Sequence, residues 1–215
     1  MLKRAPSKDE NDSKKTGSRV STTDPDASVM KMGDGGFRPA HNVQFATTID
    51  GSGVVLGVSV SSRGSDQGEM QPMRAQVQAR TGVAAVEHLV DAGYVNQKDI
   101  EQAAVEHVLL LGPLPKRVAQ PNGRKANAYS PAYIAWLARM GTRDVKARYK
   151  LRAHHAELTN ARAKTIHGMA RLTVRGTVKT LIAATLVAVT INIGRLTSLR
   201  ARAAAQQALS NVAPA

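Results

Sequence analysis

Two carboxylates stand where a chain could use them for chemistry. Asp91 follows the short run Val86–Val90 (VEHLV), which reads as a strand. In open α/β sheets functional groups gather beyond the carboxyl ends of strands. Gly93 would let the chain turn away there and leave the carboxylate at the rim. The same residues also suit a plain turn cap, because Asp and Gly are common turn residues. Glu157 has the opposite setting: from Arg139 to Lys179 there are eleven Lys or Arg and only two acids, Asp144 and Glu157. One carboxylate in such a stretch is placed to hold a cation or to pair with a base. Lys164 is seven residues on, two turns away on the same helix face and roughly 10 Å along the axis. Tyr149 and Arg152 precede it at a three-residue spacing, one turn apart. The plainer alternative is a solvated basic helix in which Glu157 pairs with Lys164 or an Arg.

Other chemistries find no footing. The six histidines include no HExxH arrangement, and the adjacent His154 and His155 point to different faces of a helix. Cysteine is absent, which excludes disulfides, thiolate zinc sites and a cysteine nucleophile. There is no Walker loop, dinucleotide glycine fingerprint or nucleophile elbow.

The elements that must position these residues read as α/β. Residues 1–36 are polar, with two turn clusters, and are expected to be a flexible tail. Asn42–Ile49 and Gly53–Ser61 form a hairpin around Asp50-Gly51. Gln67–Thr81 suits a helix, Val86–Val90 a strand, and Asn96 an N-cap for a helix through Ala104. Val105–Leu111 reads as another strand, and 112–131 as a loop. Thr142 opens a long helical stretch to about Ala170, and a more apolar helix runs on to about Leu199. The domain expected over 37–200 is thus a mixed sheet with flanking helices, followed by an Ala-rich tail at 201–215.

Bulk composition narrows the function. The 215 residues carry a formal net charge of +14, which attracts polyanions, either nucleic acid or an anionic membrane. Aromatics are only 3%, too few for a base-stacking single-strand platform. The N-terminus is charged throughout and is not a secretory signal. The apolar run Leu181–Ile193 falls short of the roughly 20 residues of a membrane span and reads as a buried core helix.

Four stretches in order resemble the insertion-sequence DDE transposases: Ser21–Asp26 (STTDPD), 33–50 (GDGGFRPAHNVQFATTID), 89–94 (LVDAGY), and Tyr149, Arg152, Glu157 and Lys164 in their spacing. The resemblance covers about residues 18–200. The resemblance implies an RNase H-like fold whose two Asp and one Glu hold two magnesium or manganese ions for DNA cleavage and strand transfer. It makes Asp91 the second Asp and Glu157 the Glu. Tyr149, Arg152 and Lys164 then contact a DNA end or brace the site. Two metals about 4 Å apart stabilise attacking and leaving oxygens at phosphorus, and Lys and Arg neutralise phosphates without reading sequence. The implied partner is double-stranded DNA, transposon ends and target, with room for a homo-oligomer. The implied location is the cytoplasm, away from membranes.

This sequence departs from the family at one point above all. The family's first Asp ends the first strand, which lies centrally, between the hairpin and the strand ending at Asp91. Nothing upstream of Thr23 reads as such a strand, and Asp9, Asp12 and Asp24 lie in polar, strandless surroundings. The expectation is therefore a C-terminal fragment of a transposase, lacking that strand and inactive alone, with two unpaired strand edges facing each other. His41 is a smaller departure, where relatives often have Tyr. A non-catalytic DNA-binding inhibitor of transposition is the alternative. A membrane-associated basic protein, resting on 181–193, is a third reading.

Overall fold

The computed structural model describes residues 21–115 and 129–212. Six short strands and six helices follow one another along these residues. β1 (Ser28–Lys31) pairs antiparallel with β2 (Phe37–Ala40), and β3 (Asn42–Thr47) with β4 (Val55–Ser61). α1 (Met70–Thr81) leads to β5 (Glu87–Leu89), which runs parallel to β6 (Leu109–Leu111) across the intervening α2 (Gln97–Val105). α3 (Pro131–Met140), α4 (Arg143–Tyr149), a π-helical turn (Ala153–Glu157) and α5 (Leu158–Thr165) follow. α6 (Thr177–Val212) comes last.

The hairpin forms where its Asp-Gly turn and alternating residues place it. Gly57 lets α1 lie close on β4, because a Cβ there would run into Met73 Sδ. Asn96 caps α2, its side chain accepting from Asp99 N–H at 2.9 Å. Two cores result. Met70, Leu110, Leu111, Trp136 and Met140 bury one between α1, the β5–β6 pair and α3. Val55, Val58, Ala163, Ala184 and Ile191 bury the other between the hairpin, α5 and α6.

Among the described residues the strands form three separate pairs, not one continuous sheet. Four element boundaries differ from those expected. The tail over 1–36 is too long, since Ser28–Lys31 is a strand on β2; residues 1–20 lie outside the described residues. The strand expected from Val105 starts only at Leu109. α2 runs through Val105, and His107 takes a left-handed φ of 55° while Val108 N–H bonds back to Ala103 O. The Ala-rich stretch from 201 is helical and exposed, continuing α6 to Val212. The single long helix from Thr142 is broken into α4, a π-turn and α5.

The run Leu181–Ile193 is also only half buried. It sits in a helix long and apolar enough to cross a membrane, with a mean hydropathy of 1.6 in its richest window. One face packs on the hairpin, and the other is uncovered among the described residues.

The STTDPD stretch has a structural job. Asp24 Oδ2 accepts from Gly176 N–H at 3.1 Å, and Asp26 Oδ2 from Thr177 N–H at 2.9 Å. Two carboxylates about 150 residues away in sequence thus satisfy amides at the N-terminus of α6, which carry partial positive charge. His41 Nε2 lies 3.0 Å from the same Asp24 oxygen.

The two inner strand edges differ from the outer one. β4's outer edge is covered by side chains. Gln76 accepts from Val58 N–H, Asn192 bonds both polar groups of Val55, and Arg80 donates to Leu56 O. Because Val58 N–H points outward, its partner Phe45 must also turn its backbone groups away from β4. On β5, Val86 O and Val90 N–H bond to β6, so Glu87 and Leu89 turn the other way. Both edges, without a strand partner among the described residues, line one cleft of about 210 Å³, with Met73 and Val77 of α1 also in its lining.

Candidate functional site

Asp91 leaves β5 with extended backbone (φ −80°, ψ 169°) and caps the 3₁₀ turn Ala92–Tyr94, accepting from Ala92 N–H at 2.7 Å. That bond uses Oδ1. The other oxygen, Oδ2, lies 2.8 Å from Arg152 Nη2. The same guanidinium reaches Glu157, Nη1 to Oε1 at 3.2 Å. Arg152 therefore gathers two carboxylates that lie 66 residues apart in the sequence. Its side chain is 18% exposed, whereas those of Asp91 and Glu157 are 58% and 62% exposed and open to ligands.

The π-turn makes this reach possible. In an α-helix, residues five apart stand ~140° apart around the axis. The i→i+5 repeat of the turn ending at Glu157 brings residues 152 and 157 round towards the same side.

Tyr149 braces the strand end rather than the carboxylates: its hydroxyl donates to Val90 O at 2.9 Å, one residue before Asp91. Burial raises its phenol pKa, the nearby Arg152 opposing and Asp91 adding to the shift. Lys164 is exposed on α5 and makes no ion pair with any described residue. The structure brings Asp91, Arg152 and Glu157 together, sets Tyr149 beside them, and leaves Lys164 out of the cluster.

Gly93 acts differently from the expectation. Its φ is not positive, so no sharp left-handed turn needs it. A Cβ there would instead meet Asp66 Oδ2 at 2.6 Å. Asp66 is held by Asn42 and Gln44, whose side-chain N–H groups donate to its Oδ1 at 2.6 and 2.9 Å. Sequence reading missed Asp66, which lies in the loop before α1 with no local signal linking it to LVDAGY. It adds a third carboxylate near the site, and Tyr94 feels its charge: burial, then Asp66, Glu69 and Asp91 all raise that phenol's pKa.

Arg143, Lys146, Lys150, Lys164, Arg171, Arg175 and Lys179 are exposed and unpaired among the described residues. Arg148 is committed to Glu87.

The donor set fits the metals that the resemblance implies only in part. Asp91 and Glu157 are hard oxygen donors, and magnesium commonly takes one or two carboxylates plus waters and phosphates. They fit one such ion, provided Arg152 yields. No group of three His, Cys, Asp or Glu suited to a metal occurs among the described residues, so a two-metal centre is not complete there.

Residues 123–197 match the family model described as the transposase DDE domain. The matched stretch contains Tyr149, Arg152, Glu157 and Lys164, and Asp91 lies outside it. The match covers 75 of the 215 residues, and over that stretch the chain is similar to DDE transposases, as the resemblance implies. No curated protein and no solved structure matches the chain.

Proposed function

We propose that this chain is a DNA-binding part of an insertion-sequence transposase whose catalytic site it supplies only in part. The observation that carries the reading is the Arg152 guanidinium bonded to both Asp91 and Glu157. It brings to one guanidinium the two carboxylates that the family resemblance assigns to phosphodiester chemistry, which supports reading them as one site. When bound there, a magnesium or manganese ion would polarise a phosphoryl oxygen.

The chain's own residues do the rest. Asp91 and Glu157 hold negative charge at the rim and offer oxygen ligands. Arg152 neutralises them in the absence of a ligand and is the group that must move. Tyr149 fixes the strand end under Asp91. Arg143, Lys146, Lys150 and Lys164, exposed on the segments before and after Glu157, draw the DNA backbone without selecting a sequence.

The RNase H-like architecture with its central strand wanting is supported by the cleft between β3 and β5, whose free edges call for one more strand. A non-catalytic DNA-binding inhibitor is a second reading, favoured by Arg152 occupying the space between the carboxylates.

Fluorescence anisotropy with a labelled duplex, titrated from about 50 to 200 mM salt, tests the DNA-binding core of both readings. We expect tight, sequence-independent binding that weakens steeply with salt. Changing Arg143, Lys146 and Lys150 together to Ser should flatten the salt slope by ~0.9 for each phosphate that is no longer neutralised. Binding that is absent, or indifferent to salt, contradicts the proposal. Metal-dependent strand transfer by the chain alone would overturn the view that its site is incomplete.

A further inference from the structure

The outer face of α6 has a pattern that the site does not use. Ile182, Leu186, Val189, Ile193 and Leu196 follow at intervals of four, three, four and three, the a and d positions of two heptads. They are 55%, 62%, 49%, 62% and 49% exposed. On the opposite side of the same helix Thr180, Ala184, Ala188 and Ile191 are buried, the last three in the core with Val55 and Val58. α6 thus has two apolar faces, one for its own fold and one without a partner among the described residues.

We infer that this second face is the contact between two copies of the chain, α6 against α6. A 3-4 spacing of aliphatic side chains is what helix-on-helix packing requires; a flat or globular ligand has no need of it. The seam can meet itself: no charged residue lies between Lys179 and Arg195, and Thr185, Thr190, Gly194 and Thr197 flank it. A two-fold contact needs such self-complementarity, because each patch faces its own copy. The five seam residues and Val178 are about half to two-thirds exposed and offer on the order of 600 Å², the larger part of the ~800 Å² per partner of a standard interface.

A bilayer is the less suitable occupant. Asn192 on this helix is bonded to both backbone groups of Val55, and Thr180 is fully buried. Insertion would break those bonds and strip the hairpin of its cover.

Sedimentation equilibrium of the full chain, at concentrations up to about 100 μM, tests the inference. The expected species is a dimer. Leu186→Lys with Ile193→Lys should convert it to a monomer with an unchanged circular dichroism spectrum, since both side chains point outward. Should that variant unfold, a second measurement decides. The chain has no cysteine, so Val189→Cys should give a covalent dimer with copper phenanthroline as oxidant, whereas Ala135→Cys on the exposed side of α3 should not. A monomeric native chain, or a Val189→Cys variant that stays uncrosslinked, overturns the inference. So does co-sedimentation with phosphatidylcholine–phosphatidylglycerol vesicles that the double Lys variant abolishes. The outcome is independent of whether the chain binds DNA.

Discussion

The carboxylate of Asp66 fills the space in which residue 93 would carry a Cβ, with Oδ2 at 2.6 Å from that position. Asp66 cannot easily swing aside, because Asn42 and Gln44 both donate to it. Gly93→Ala should therefore cost ~1–3 kcal/mol by overpacking, read as a lower thermal midpoint. Adding Asp66→Ser should recover most of the loss. A Gly93→Ala chain that melts like the native one contradicts this account of the loop before α1.

His88 sits in the β3–β5 cleft with Nδ1 unpartnered among the described residues. Burial, and then the charge of Arg74, push its pKa down to about 4. The folded value lies below the unfolded one of 6.5, so the unfolded chain takes up the proton first as pH falls. Stability from this group is whole above pH 6.5 and declines towards pH 4, with a slope near ~1.4 kcal/mol per pH unit in between. Denaturant titrations between about pH 6 and about pH 5 should reveal that slope, and His88→Leu should remove it. An equal slope in both chains assigns it elsewhere.

Asp24 and Asp26 tie the start of the described chain to the start of α6. Backbone Gly176 and then His41 hold the Asp24 carboxyl below its ordinary range. Its contribution is present above the unfolded carboxylate pKa and is lost as pH falls through the depressed value. Asp24→Ala with Asp26→Ala should lower hydrogen-exchange protection at Gly176, Thr177 and Thr180 while leaving the protection of α2 intact. Unchanged exchange at those amides would mean that the two carboxylates do not cap α6.

Local signals make much of this legible. The hairpin shows in its Asp-Gly turn, α2 in its Asn96 cap, and the rim position of Asp91 in the strand before it. α3 carries signals of the same kind, although it falls outside every helix expected from the sequence: Ser130-Pro131 is a helix start, and Tyr133, Trp136, Leu137 and Met140 share one face. The π-turn at Glu157 is not legible, because the basic stretch keeps good helix formers on both sides of it. Neither is the meeting of Asp66 with Gly93, which depends on where two loops land. The clamp of Arg152 on Asp91 requires the third dimension, since 61 residues separate the pair. Spacing supplies the kinship of Arg152 with Glu157; the fold supplies one arginine holding both carboxylates.

Manganese binding, followed by water proton relaxation, tests most directly whether Asp91 and Glu157 form one site. The native chain should bind the ion weakly, because Arg152 competes for both carboxylates. Arg152→Met should tighten binding, and Asp91→Asn or Glu157→Gln should each weaken it by about tenfold or more, on the order of one charged ligand removed. Binding that neither carboxylate variant alters would contradict the central claim.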